Sequence, residues 1–172
     1  MSTAIVASPY ESMVVDYLEE IEGYLCKTDV QFLLKSRGRN VRCDIDILAF
    51  NPKRKKFLVC EVISYTPTSK KDIEAVKRKI EIISSQNLKD FLEKQYGIDK
   101  YEKMIVTWTK TDWLKKQVNK SNVKLLTFKE IAQRLIDYLE KKRDEAGGWV
   151  GVPNLTLLVL QTILHFKSEL KL

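Results

Sequence analysis

Asp44-Ile45-Asp46-Ile47-Leu48-Ala49-Phe50, followed by the basic turn Asn51-Pro52-Lys53-Arg54-Lys55-Lys56 and by Phe57-Leu58-Val59-Cys60-Glu61-Val62-Ile63, decides the fold. The two apolar runs read as β-strands joined by the turn, and each carries an acid inside it. Side chains alternate faces along a strand, so Asp44 and Asp46 should share one face, and Glu61 and Ile63 one face of the next strand. Two carboxylates brought together on neighbouring strands repel unless a cation lies between them. A divalent metal bound through oxygen is one solution. Cys43 and Cys60 are expected as small buried residues on the sheet face away from the acids.

Outward from these strands, residues 30–34 read as a further strand, and Ser36-Arg37-Gly38-Arg39-Asn40 as the turn of a hairpin into residues 41–50. Three consecutive antiparallel strands result. Before them, Ser8-Pro9-Tyr10-Glu11 opens a helix with a cap serine, a first-turn proline and a glutamate three residues after the cap, and Gly23 closes it. After them, Ile73, Val76, Ile80 and Ile83 mark one helix stripe, and residues 88–96 form a second helical piece before Gly97. Residues 104–108 and 123–126 read as short strands with a helix over 112–118 between them. Thr127-Phe128-Lys129-Glu130 is a capping box that opens a last helix to about residue 142. A meander followed by strand–helix alternation predicts an α/β (α+β) fold, a mixed central β-sheet flanked by helices.

Ala146-Gly147-Gly148 reads as a linker, which divides the chain into a domain over residues 1–145 and an appended segment over 146–172. Residues 154–170 carry leucines on more than one side of a helical wheel, so this C-terminal apolar helix either packs on its own domain or forms a homodimer contact. His165 within it reads as a packing residue.

The 172-residue chain carries a net charge of +7, which suits an anionic partner without naming it. Basic residues cluster at Lys35, Arg37, Arg39 and Arg42, at Lys53, Arg54, Lys55 and Lys56, and at Lys70, Lys71, Lys77, Arg78 and Lys79. They flank the acidic strands, where a phosphate backbone would be held, or they are ordinary solvated lysines and arginines. The three cysteines form no CxxC spacing and give neither a zinc signature nor a disulfide framework. Residues 1–8 lack the basic start and apolar stretch of a secretory signal, and residues 155–160 are too short to span a bilayer, so a cytoplasmic protein with no membrane partner is expected. Trp108, Trp113 and Trp149 are expected in the core or at interfaces rather than as a platform for bases.

From residue 8 to residue 139 the pattern resembles the PD-(D/E)XK nucleases, the restriction-endonuclease-like superfamily, and in detail archaeal Holliday-junction resolvases and Mrr-like restriction enzymes. Asp46-Ile47-Leu48-Ala49 is similar to the family's Asp-aliphatic-aliphatic-Ala strand. Phe57-Leu58-Val59-Cys60-Glu61-Val62 is similar to the strand that ends in its Glu-x-Lys signature, and Val123-Lys124-Leu125-Leu126-Thr127-Phe128 to the closing strand–helix of Mrr-like domains. The resemblance implies metal-dependent DNA hydrolysis, with Mg²⁺ or Mn²⁺ held by Asp46, Glu61 and the Val62 carbonyl, and Glu11 as an additional acid from the first helix. RNA as a substrate is not excluded by it.

One position departs from the signature. Ile63 stands where the family has its catalytic lysine, and isoleucine stabilises no charge at phosphorus. Some members of the superfamily supply that lysine from the following helix. Here the helix offers Lys77, which borders the apolar stripe one turn from Ile73 and Ile80, with Lys79, Lys71 and Lys70 as further candidates. Lys77 could equally be a solvated helix lysine, Glu11 a capping residue and Asp44 a surface residue. Three readings follow: a DNA endonuclease with a relocated lysine, a non-cleaving nucleic-acid-binding module on the same fold, and an assembly subunit.

Overall fold

In a computed structural model, which describes residues 8–36, 39–148, 151, 157 and 159–161, the meander is three antiparallel strands, β1 (Leu25–Ser36), β2 (Arg39–Asn51) and β3 (Lys56–Ile63). Helix α1 (Pro9–Glu20) precedes them. From β3 the chain passes through α2 (Lys70–Ile83) and α3 (Gln86–Tyr96) to β4 (Glu102–Thr107), then through α4 (Asp112–Lys120) to β5 (Lys124–Thr127) and directly into α5 (Phe128–Ala146). β4 lies parallel to β3, and β5 parallel to β4. The result is a mixed sheet in the order β1-β2-β3-β4-β5 with helices on both faces.

The two faces have separate cores. Val14, Tyr17 and Leu18 of α1 meet Ile131, Leu135 and Leu139 of α5 over Ile47, Ala49, Cys60, Val62 and Val106. On the opposite face, Val76, Ile80 and Ile83 of α2, Leu88 and Leu92 of α3, and Leu114 of α4 cover Ile45, Val59, Ile63 and Ile105. β3 is buried without a break from Leu58 to Ile63, because both of its faces are covered. An ionised carboxylate inside such a strand is costly unless it is paired.

The helix starts follow the sequence closely. Ser8 with Glu11, Ser69 with Asp72, and Thr127 with Glu130 form reciprocal capping boxes. Gly147, within the expected linker, is the left-handed cap of α5 at φ 69°, with the Gly148 N–H donating to the Arg143 carbonyl. Other expectations shift. β1 begins at Leu25 rather than at residue 30, through a polar stretch whose Asp29 has φ 53°. Cys43 and Cys60 do not share a face: Cys43 packs under α2 and α3, Cys60 under α1 and α5. The expected helix over residues 154–170 lies outside the described residues except at Leu157, Val159, Leu160 and Gln161. Of these, Leu157 is buried in the α1–α5 core.

Candidate active site

Cys43 and Cys60 diverge because β2 changes face at Asp46. Cys43 and Ile45 point into the α2 side and Ile47 and Ala49 into the α1 side, so strict alternation fails across residues 45–47. The pairing with β3 fails at the same point: Ile47 opposite Cys60 is the last partnered pair, and the next step would put Asp46 opposite Glu61. On the other edge, β1 pairs with β2 at Thr28–Ile47 and Val30–Ile45 but skips Asp29. The sheet therefore opens between the two acids. Asp46 Oδ2 accepts the Val62 N–H at 2.6 Å, supplying an acceptor to a strand that has lost this neighbour.

Glu61 shares its face with Val59 and Ile63 and so points toward α2. The amine that meets it there belongs to Lys79. Lys79 Nζ lies 2.9 Å from Asp46 Oδ2 and donates directly to Glu61 Oε2 as well. Side-chain exposure falls from 30% at Lys79 to 12% at Asp46 and 2% at Glu61, so the triad reaches solvent through the lysine. Burial pushes the Glu61 carboxyl up to about 8, with the Asp46 charge adding to it and Lys79 opposing it. For Lys79 burial works downward, but the two carboxylates outweigh it and hold the ammonium above its ordinary value. Neighbouring Cys60 is fully buried, and burial with the same two acids keeps its thiol protonated.

The remaining predicted residues are distributed elsewhere. Lys77, singled out from the sequence as the relocated lysine, is exposed and stands 5.9 Å from the Trp113 ring centroid of α4. At about 100° per residue, Lys77 and Lys79 flank the Val76–Ile80–Ile83 stripe on opposite sides. Only the side carrying Lys79 looks onto the acids. Glu11 is engaged at its own helix start, where its carboxylate accepts the Ser8 N–H at 3.2 Å. Asp44 is exposed opposite Gln31. Ile63 is fully buried under α2 and packs in the α2-side core.

Lys53, Arg54 and Lys55 occupy the turn before β3, whose first residue, Lys56, is five residues and about 16 Å from Glu61. Arg54 there pairs with Glu22 at 3.4 Å. Arg42 is exposed and bonds Gln31, and Lys70 and Lys71 are exposed in the first turn of α2. Arg37, and the side chains of Lys35 and Arg39, lie outside the described residues. Trp113 packs against the α2-side core, Trp149 lies outside the described residues, and Trp108 is exposed at the end of β4.

The acids fit a hard divalent cation. Both donors are oxygens, and they converge where the ladder is open, beside a single ammonium. Mg²⁺ commonly binds through one or two carboxylates with water and substrate phosphate completing its shell. Among the described residues no three His, Cys, Asp or Glu side chains gather as a ready-made cage. No described helix is long and apolar enough to cross a membrane.

No family model matches the sequence, and no curated protein does. Among solved structures, protein VC1899 from Vibrio cholerae is similar at a TM-score of 0.43 and 14% identity, over 71% of this chain and 29% of that one. EndoMS in complex with double-stranded DNA is similar at a TM-score of 0.38 and 15% identity, over 74% of this chain and 47% of that one. EndoMS in its apo form gives a TM-score of 0.34 and 16% identity, over 70% of this chain and 46% of that one. The chain thus spans less than half the length of each of these three structures.

Proposed function

We propose that this chain is a metal-dependent DNA endonuclease of the PD-(D/E)XK type whose catalytic lysine has moved from the strand to the following helix. The observation that carries the reading is the meeting of Asp46, Glu61 and Lys79 at the point where the β2–β3 ladder opens. It restores, from α2, the amine that Ile63 lacks.

Each residue has a distinct role in this reading. Asp46 is oriented by the Val62 N–H, and Glu61 is held by packing on both sides of β3. With the Val62 carbonyl they would hold Mg²⁺ or Mn²⁺. When bound, such an ion polarises a phosphate oxygen and acidifies a water for attack. Lys79 supplies a fixed positive charge at the exposed side of the triad, where charge builds on the phosphoryl oxygens in the transition state. Ile63 contributes packing alone. The +7 net charge supports binding to a polyanion, and DNA is the substrate proposed.

Plasmid cleavage in Mg²⁺ or Mn²⁺ tests this. Wild type should nick or linearise the plasmid, and Glu61→Ala and Lys79→Ala should each lose at least a hundredfold in rate. Cleavage that survives Glu61→Ala overturns the proposal. A second reading, a non-cleaving nucleic-acid-binding module, is favoured by one observation: Lys79 already engages both acids. Binding that persists in EDTA and falls steeply with salt, with no cleavage in either metal, would establish it instead.

A further inference from the structure

The carboxyl ends of the parallel strands carry a second feature that the triad does not use. Thr107 of β4 pairs with Ile63 of β3 on one side and Thr127 of β5 on the other, and Ser64, Trp108 and Phe128 are the residues that follow this last paired row. Trp108 is 44% exposed yet held on several sides. Its indole Nε1 donates to the Ser64 carbonyl at 3.0 Å, its ring lies 5.0 Å from Phe128, and Tyr10 of α1 meets it edge-on at 5.6 Å. Tyr65, the residue after Ser64, is 38% exposed beside it in sequence. A large apolar side chain exposed by chance would be free to move; this one is fixed by a hydrogen bond and two rings while its surface stays open.

Its place relative to the acids follows from the strand register. Ile105 is the partner of Glu61, and Trp108 comes three residues later, one past the end of β4, about 10 Å along the strand direction from Ile105. The segment that carries Ser64 and Tyr65 joins the strand of Glu61 to the helix of Lys79. Trp108 approaches the strand ends from the α1–α5 side and Lys79 meets the acids from the α2 side, with the sheet rim between them.

We propose that Trp108, with Tyr65, is a stacking platform for an unpaired base, so that the preferred nucleic acid carries single-stranded nucleotides next to the bond at the acids. This rests on the nucleic-acid reading above and narrows its substrate class. An aromatic face held open stacks on any base and does not require a particular sequence. Bases within a duplex are already stacked on one another, so the platform favours unpaired strands.

Binding in EDTA, free of any cleavage, tests it. Fluorescence anisotropy would compare a labelled single-stranded oligonucleotide with its own duplex, for wild type, Trp108→Ala, Trp108→Phe and Tyr65→Ala. Trp108→Ala should weaken single-strand binding about tenfold and change duplex binding less than twofold, and Trp108→Phe should restore most of the loss. Tyr65→Ala, which removes no ring contact found among the described residues, should weaken single-strand binding by a smaller factor and guards against misfolding of the tryptophan variant. Single-strand affinity unchanged in both alanine variants overturns the platform while leaving the nuclease reading intact. Wild-type protein that binds neither oligonucleotide overturns both.

Discussion

The two ends of the β2–β3 hairpin both carry ion pairs, and they are opposites. At the turn, Lys56 meets Glu102 at 2.5 Å and Arg54 meets Glu22 at 3.4 Å, with the basic partners more than half exposed. Such pairs form at little desolvation cost and contribute little to stability. At the open end, Lys79 sits between Asp46 and Glu61, and Glu61 is nearly fully buried. Two carboxyl groups and an ammonium have been withdrawn from water there, at a cost that apolar residues of similar size would avoid. Fold stability therefore explains the first end easily and the second poorly, which is why the second reads as a functional site.

The largest effect separating the two ends is on stability. Lys79→Ala leaves two carboxyl groups facing each other in a partly closed site with no ammonium between them and should cost about 3 kcal/mol. Lys56→Ala, at the exposed end, should leave the urea midpoint where it is. Urea unfolding followed by circular dichroism compares them, with unchanged slopes marking a change in stability alone. Equal midpoints for the two variants would show that the triad is as weakly coupled as a surface pair.

Moving the lysine back sharpens the same contrast. Ile63→Lys combined with Lys79→Ala places an ammonium on β3, on the face of Glu61, where the family signature has it. The double variant should recover part of the cleavage lost in Lys79→Ala, because the amine again has two acids to meet. Ile63→Lys alone buries a second ammonium in the α2-side core and should destabilise the fold without raising activity. Plasmid cleavage by the two variants, measured beside Lys79→Ala, decides whether helix and strand positions are equivalent.

These swaps also show how much the sequence disclosed. Strands β2 and β3 and the starts of α1, α2 and α5 were legible because apolar runs, a basic turn and capping boxes are local signals. Both acids stood out because packing does not explain a carboxylate in a strand buried on both faces. The first half of β1 was not legible: Cys26-Lys27-Thr28-Asp29 is polar, and its strand is fixed by pairing to Ile47, Leu48 and Ala49 rather than by its own composition. The face change at Asp46 was hidden too, since Ile45 and Ile47 are equally apolar and nothing local says they part. Lys77 and Lys79 border the helix stripe symmetrically, and only the direction from which α2 crosses β3 distinguishes them. The rigid exposure of Trp108 depends on Tyr10 and Phe128, almost a hundred residues and twenty residues away in the chain.

A smaller effect comes from pH. Glu61 has its carboxyl raised by burial from an ordinary 4.5 to about 8, so the folded protein binds a proton there that the unfolded chain releases. The stability this supplies is complete below about 4.5 and declines as pH rises through about 8. Lys79, raised from 10.5, keeps its contribution until pH exceeds that value. Metal-free wild type should therefore lose stability as pH rises from about 4.5 to about 8 and level off above that, and Glu61→Gln should not show this loss. In the same window the carboxylate becomes available as a ligand, so Mn²⁺ affinity measured by calorimetry should rise toward pH 8 and level off. A Mn²⁺ affinity that is flat from pH 6 to 9 would separate Glu61 from metal binding.

The smallest effects are expected at the two residues that the sequence favours and the structure moves away from the triad. Glu11→Ala breaks a capping box at the start of α1 and should cost about 0.5–1 kcal/mol, with cleavage of the remaining folded protein unchanged. Lys77→Ala removes an ammonium over Trp113 and should change the cleavage rate less than threefold, against the hundredfold loss expected at Lys79. Two lysines that border one helical stripe, two residues apart, would then differ by more than an order of magnitude for a single geometric reason. One faces the opening between β2 and β3 and the other faces α4. Comparable losses at both positions would mean that α2 rotates when substrate binds, and that the amine nearest the acids in the free protein is not the one that acts.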